Sequence, residues 1–238
     1  MAITRNVHIH EGPGGPFESM FVGDADAGTQ PGVLLFPNFM GTKEWDFAKA
    51  ETLAAQGYKV LVVDYYGQGK RGTSMESAGK LLHDFMADRQ AVKTRLLDAL
   101  GELRAFPGVE GDRIGAIGFC AGGKCVLDLA RAGADIKAGV SFHGVYDAPP
   151  FPNAAITAKL MICDGWNDNL CPPEAKLALC KELAAADVDF QFITYSRTGH
   201  AFTADDVPLN DDRSFGFVPE TNRRSWRAAM DFLEDELG

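Results

Sequence analysis

The segment RIGAIGFCAGGKCVLDLA, Arg113 to Ala130, decides how the chain is read. Its first half is apolar and rich in β-formers, as a buried strand requires. Its second half carries apolar residues at helical spacing. Between them lies Gly118-Phe119-Cys120-Ala121-Gly122-Gly123. A side chain at the tip of a sharp strand-to-helix turn sits in a strained backbone, and the residues two before and two after it pass close together. Gly118 and Gly122 are small enough for this. The helix that follows presents its N-terminus to Cys120, which favours a thiolate. Cys120 is thus read as a nucleophile.

Working outward, strands and helices alternate. GVLLFP (32–37) and YKVLVVDYYG (58–67) read as buried strands, with the helical pattern KEWDFAKAETLAAQG between them. Residues 76–106 form one long helix or two, ending before Pro107. IKAGVSFHG, KLMICDGWND and VDFQFITYS are further strands. PPEAKLALCKELAAAD and PETNRRSWRAAMDFLEDEL are helices with proline at their first positions, where no hydrogen-bond donor is lost. NVHIH and ESMFV form an edge hairpin within residues 1–30. Such alternation predicts one α/β domain over 1–238, with a mostly parallel sheet covered by helices on both faces.

Composition bounds the function. The 238 residues are 46% hydrophobic, enough for one sizeable core. A net charge of -10 repels phosphate backbones, so nucleic acid is not an expected partner. No run approaches the ~18 apolar residues of a membrane span, and the first residues lack a signal-peptide pattern. A cytoplasmic location is expected. Five cysteines, at 120, 125, 163, 171 and 180, are an odd number without C-x-x-C spacing. They suggest neither a disulfide framework nor a metal site. Cys125, Cys163 and Cys180 read as inert buried thiols. The glycine-containing YYGQGKRG and EGPGGP lack nucleotide-binding spacing. No cofactor or metal is expected.

In open α/β sheets, ligands bind beyond the carboxyl ends of the strands. The loops NFMG, FCAGG, DGWNDN and RTGHAF leave strands at that edge. A thiol nucleophile needs a base and a group that orients the base. His200 in TGHAF and Asp168 in DGWNDN fill those roles, with Asp164 the rival to Asp168. His143 also ends a strand there and could line the pocket. His8, His10 and His83 read as surface residues. The amides of Ala121, directly after the nucleophile, and of Phe39, in the loop after GVLLFP, are the candidate oxyanion donors. Trp166, Phe39, Phe202 and Trp45 flank these loops. Of them, Trp166 and Phe39 are the leading candidates for substrate contact.

Gly-x-Cys-x-Gly-Gly, the late Asp, Gly-His-x-Phe and LLFPNFMG together resemble the dienelactone hydrolase family of α/β-hydrolases. The resemblance runs from about Val33 to the last helix. It implies that fold, a Cys120–Asp168–His200 triad, Phe39 and Ala121 amides as oxyanion donors, and hydrolysis of a small ester or lactone. Two departures stand out. The family's dienelactone-cleaving members carry a glutamate where this chain has Asn38. They also carry an arginine four residues after the histidine, where this chain has Ala204. Arg71, Lys70 or Arg213 could replace that carboxylate clamp. The expected substrate is therefore an ester or lactone other than a dienelactone, met by Asn38, Trp166, Phe202 and Arg71, in a monomer or homodimer. Two other readings of the same residues stay open. One is acyl transfer or thioester cleavage on the same triad. The other is a non-catalytic binding module that keeps the fold.

Overall fold

The computed structural model describes residues 2–24 and 26–238. Eight strands form one sheet in the order β1-β2-β4-β3-β5-β6-β7-β8. They are β1 (Ile3–Gly12), β2 (Gly15–Asp24), β3 (Gln30–Phe36), β4 (Lys59–Val62), β5 (Val109–Phe119), β6 (Ala138–Phe142), β7 (Lys159–Gly165) and β8 (Phe190–Tyr195). β1 and β2 make the antiparallel hairpin, and β2 pairs antiparallel with β4. From β4 to β8 every pairing is parallel.

The continuous apolar runs of the central strands have a simple cause: both faces of the sheet are covered. Alternate residues of β3 point to opposite sides. Val33 and Leu35 pack with α1 (Glu44–Ala54) and α6 (Pro219–Leu237). Leu34 and Phe36 pack with α2 (Met75–Met86), α3 (Arg89–Ala105), α4 (Ala121–Arg131) and α5 (Pro173–Ala185). The long helical stretch before Pro107 resolves into two helices. Asp88 ends the first by capping the second, accepting from the amides of Gln90 and Ala91 at 3.0 Å. Such a cap is worth ~1 kcal/mol.

The strand registers bring the site together. Phe36 lies opposite Gly118, Phe119 opposite Phe142, Phe142 opposite Cys163, and Gly165 opposite Tyr195. The carboxyl ends of β3, β5, β6, β7 and β8 are therefore nearly level. The loops that follow them open on one edge. Among the described residues, no helix is long and apolar enough to cross a membrane.

Candidate active site

Cys120 sits at the tip of the turn between β5 and α4, with φ 55° and ψ -115°. This is a costly backbone for a residue with a Cβ. Surrounding contacts hold it there. The Cys120 amide donates to Phe142 O at 3.0 Å, and its carbonyl accepts from Lys124 N at 3.1 Å. A Cβ on Gly118 would collide with the Gly122 carbonyl, and one on Gly122 with the Phe36 carbonyl. Glycine at both positions is thus a steric requirement of the turn.

The three polar side chains expected at this edge converge. His200 Nδ1 lies 2.7 Å from Asp168 Oδ2, with both side chains nearly fully buried. The other carboxylate oxygen of Asp168 accepts from Leu170 N at 2.8 Å, which fixes the orientation of the group. His200 Nε2 is buried and has no hydrogen-bond partner. The ring lines the same cavity as Cys120. The ring itself is clamped. Phe215 stacks on it at 5.8 Å, and His143 meets it edge-on at 5.0 Å.

The electrostatics of the pair follow from burial and charge. Burial alone would raise the Cys120 thiol. The charge of His200 and the amides of Ala121 and Phe39 outweigh burial and hold the thiol below its ordinary value. Burial alone would likewise lower His200. The Cys120 and Asp168 charges and the Asp168 hydrogen bond outweigh it, and push His200 up to about 10. Each group thus stabilises the charged form of the other. Burial pushes the other four thiols, Cys125, Cys163, Cys171 and Cys180, in the opposite direction. Cys120 alone has its thiol lowered.

The amides of Phe39 and Ala121 are among the groups that hold the Cys120 thiol below its ordinary value. The Phe39 loop is held by side chains that the sequence did not single out. Tyr65 Oη donates to the carbonyls of Pro37 and Asn38, at 3.0 and 2.6 Å. Tyr66 Oη donates to Phe39 O at 2.8 Å. Asn38 Oδ1 accepts from Met40 N at 2.9 Å, closing a local turn. The only signal for the tyrosines was their place directly after β4 in VDYYG.

Asp164 is committed elsewhere. It accepts from Tyr146 Oη at 2.8 Å and pairs with Lys176 Nζ at 2.5 Å. His143 lines the site, with Nε2 2.8 Å from Thr203 Oγ1. Burial, reinforced by the charge of His200, holds it far below the ordinary imidazole value, so it stays neutral.

Cys120 and His200 open onto a cavity of about 860 Å³. Its wall is mainly apolar, with Phe39, Trp45, Met86, Val145, Leu170 and Phe215 prominent. Asn38 and Ala204 also line it. Exposed His83 sits on the same wall. Three expected substrate contacts do not reach it. Trp166 is 57% exposed and lies over Lys176, because the turn at Gly165 to Asp168 brings the carboxylate inward and leaves the indole outside. Phe202 is fully buried in the core beside His143 and Tyr195. Ala201 has φ 59°, so the chain turns after His200 and carries Phe202 behind it. Arg71 pairs with Asp64 at 3.2 Å and donates to the carbonyls of Lys70 and Glu18. Lys70 faces a different, smaller cleft, and Arg213 donates to Arg197 O. None of these three cations stands in for the missing clamp.

The chain matches the family model described as the dienelactone hydrolase family over residues 17–237. It belongs to that family. Two solved structures span it end to end. One, designated m3DLH, is 31% identical with a TM-score of 0.93, covering 100% of both chains. The other is a dienelactone hydrolase-like promiscuous phosphotriesterase from metagenomic libraries, 28% identical with a TM-score of 0.90, again over 100% of both chains. An uncharacterized Caenorhabditis elegans protein is 32% identical over 151 residues, covering 60% of this chain and 93% of its own. A Yersinia pestis putative carboxymethylenebutenolidase is 25% identical over 222 residues, covering 88% of this chain and 80% of its own. The family assignment makes the protein a hydrolase of the lactone and ester type on an α/β-hydrolase scaffold.

Proposed function

We propose that the protein hydrolyses neutral carboxylic esters or lactones with an apolar body, using Cys120, His200 and Asp168. The Cys120 thiolate attacks the carbonyl carbon, and the carbonyl electron pair moves onto oxygen. The amides of Phe39 and Ala121 stabilise that oxyanion. As the tetrahedral intermediate collapses, the C–O bond to the leaving group breaks and the His200 imidazolium protonates the departing oxygen. Neutral His200 then takes a proton from water, whose oxygen attacks the thioester. Collapse releases the acid and restores the thiolate–imidazolium pair. Asp168 holds the ring and stabilises its charged form throughout. The observation that carries this reading is the coupled arrangement at Cys120. Cys120 sits at a strained strand-to-helix turn and shares one cavity with His200, whose Nδ1 is held by Asp168 at 2.7 Å.

The preference for a neutral substrate rests on charge pairing. Three lysines and arginines line the cavity: Lys43, Arg89 and Lys124. Lys43 pairs with Asp206 at 3.0 Å, Arg89 with Asp128 and Asp147 at 2.6 and 2.8 Å, and Lys124 with Asp147 at 2.5 Å. A substrate carboxylate would have to displace one of these partners. The test compares uncharged aryl esters with esters of matched size bearing a carboxylate. The neutral member is expected to have the higher kcat/KM by ~10-fold or more, a difference of one lost ion pair in an apolar site. Equal or better turnover of the anionic ester would overturn the neutral-substrate reading.

Thiol alkylation tests the ion pair without requiring a substrate. Iodoacetamide is expected to label Cys120 below the pH at which an ordinary thiol ionises, ahead of the other four cysteines. Turnover of an alkyl ester, whose leaving group needs a proton, is expected to fall again as His200 deprotonates near pH 10. Labelling needs only the thiolate and should show no such fall. A labelling profile that rises only near the ordinary thiol value would remove the ion pair.

Asn38 lines the same cavity as Cys120. Asn38→Glu introduces a negative charge beside the nucleophile, and like charges disfavour the thiolate. Labelling near neutral pH is expected to slow several-fold. Asn38→Ala should change the thiol less, but it deletes the Asn38–Met40 turn and should lower kcat by loosening the Phe39 amide. Identical labelling for wild type and Asn38→Glu would mean that this side chain does not face the sulfur.

A further inference from the structure

β1 carries an unusual inner face. Its alternation turns Val7 and Ile9 outward, 59% and 55% exposed, and turns His8 and His10 toward α3. α3 answers with Asp98 and Glu102, four residues apart and so on one face of the helix. His8 Nε2 lies 2.7 Å from Glu102 Oε2, and His10 Nε2 lies 3.3 Å from Asp98 Oδ2. One donor atom from each of His8, His10 and Glu102 lies within 4.8 Å of the other two.

The rings are held by their neighbours. His8 and His10 stack at 5.3 Å with 19° between planes. Phe17 stacks on His10 at 5.5 Å, and Phe106 meets the edge of His8 at 5.6 Å. The His10 side chain is only 9% exposed, and its Nδ1 is buried with no partner. A hydrophobic side chain would be the ordinary occupant of such a strand–helix interface. Two imidazoles facing two carboxylates are instead a donor set. None of the four residues lines the catalytic cavity.

We infer that His8, His10 and Glu102, with Asp98 as a fourth ligand or as the acceptor that orients His10, form a site for a borderline divalent transition-metal ion such as Zn(II) or Co(II). Imidazole nitrogen with carboxylate oxygen selects such ions over Mg(II) or Ca(II), which favour all-oxygen sites. A ring nitrogen that binds the cation must offer its lone pair, so each loaded imidazole carries its one proton on the other nitrogen. Tetrahedral coordination at ~2.0–2.1 Å places donors ~3.4 Å apart. Closing from within 4.8 Å to that spacing needs the two imidazoles to tilt out of their stack as well as the carboxylates to move. The loaded ion would tie the edge hairpin to α3.

The test uses the full chain carrying Cys120→Ala, which removes the competing thiolate, after stripping with a chelator. Zn(II) affinity is read by competition titration, and Co(II) loading by its visible absorption. One equivalent is expected to bind at micromolar concentration or tighter, with a rise in Tm of ~3 °C or more at saturation. His8→Ala, His10→Ala and Glu102→Gln should each weaken binding by ~10-fold or more. If His10→Ala fails to fold, His8→Asn, at the more exposed ring, serves in its place. No binding below ~100 µM, or equal affinity in the parent and the histidine variants, would overturn the site.

Discussion

Cys120→Ala is expected to lower kcat/KM for a short-chain neutral aryl ester by ~10⁴-fold or more, on the scale seen when a triad nucleophile is removed. Alanine has no group to form the acyl bond. What survives is whatever the two amides and the apolar cavity contribute by binding alone. The loss should not come from misfolding. The strain at φ 55° is borne by any residue with a Cβ, so cysteine and alanine share it. The neighbours that create the turn, Gly118 and Gly122, are untouched. The thermal midpoint should therefore stay close to wild type while turnover disappears. His200→Ala should lose activity on the same scale, since it removes the base and leaves the thiol without its counter-ion. Mass spectrometry after mixing with a slow ester should find an acyl adduct in wild type and none in Cys120→Ala. Turnover above a tenth of wild type in Cys120→Ala would refute the nucleophile assignment.

The fold was legible because its signals are local and steric. The strand-Gly-x-Cys-x-Gly-helix segment leaves few alternatives to a sharp turn, and the apolar runs at 33–36 and 60–63 demand a sheet covered on both faces. Levels of the strand ends follow from parallel pairing, so the loops bearing Phe39, Cys120, Asp168 and His200 had to meet. What the sequence could not convey is side-chain direction within those loops. Trp166 and Phe202 each lie two residues from a proposed triad member. Yet the tight turn after Gly165 and the positive φ of Ala201 send one to solvent and the other into the core. Arg71 is near the Phe39 loop in space, but Asp64 and three carbonyls claim its guanidinium. The tyrosines that brace the Phe39 loop act through hydroxyls directed at backbone carbonyls, a contact that no spacing rule reveals. The two histidines of β1 look like surface residues until α3 is packed over them.

Asp164 and Asp168 illustrate the same limit, and they support the second large-effect prediction. Both end β7 or follow it closely, and spacing alone does not separate them. In the structure Asp168 reaches His200 while Asp164 is held by Tyr146 and Lys176. Asp168→Asn keeps the shape and removes the charge. Burial lowers the His200 pKa, and Asp168 is one of the groups that offset it. Without the carboxylate, His200 moves down from about 10 toward a neutral ring at pH 7. The Cys120 thiol then loses the imidazolium that stabilises its thiolate, and its pKa rises. The sign is fixed: at a given pH near neutral, less thiolate is present in the variant. An asparagine amide can also present a donor to Nδ1, which turns the ring into the wrong tautomer. Together these should reduce kcat/KM at pH 7 by ~10²–10⁴-fold, up to the loss known for a triad Asp→Asn change. The iodoacetamide profile of Cys120 should shift to higher pH in parallel. Asp164→Asn provides the contrast, because it leaves the buried Lys176 charge without its counter-ion. It should lower Tm and leave the labelling profile of the folded protein near that of wild type. If Asp168→Asn labels with the wild-type pH profile and Asp164→Asn does not, the orienting carboxylate is Asp164, and the assignment within this loop must be reversed.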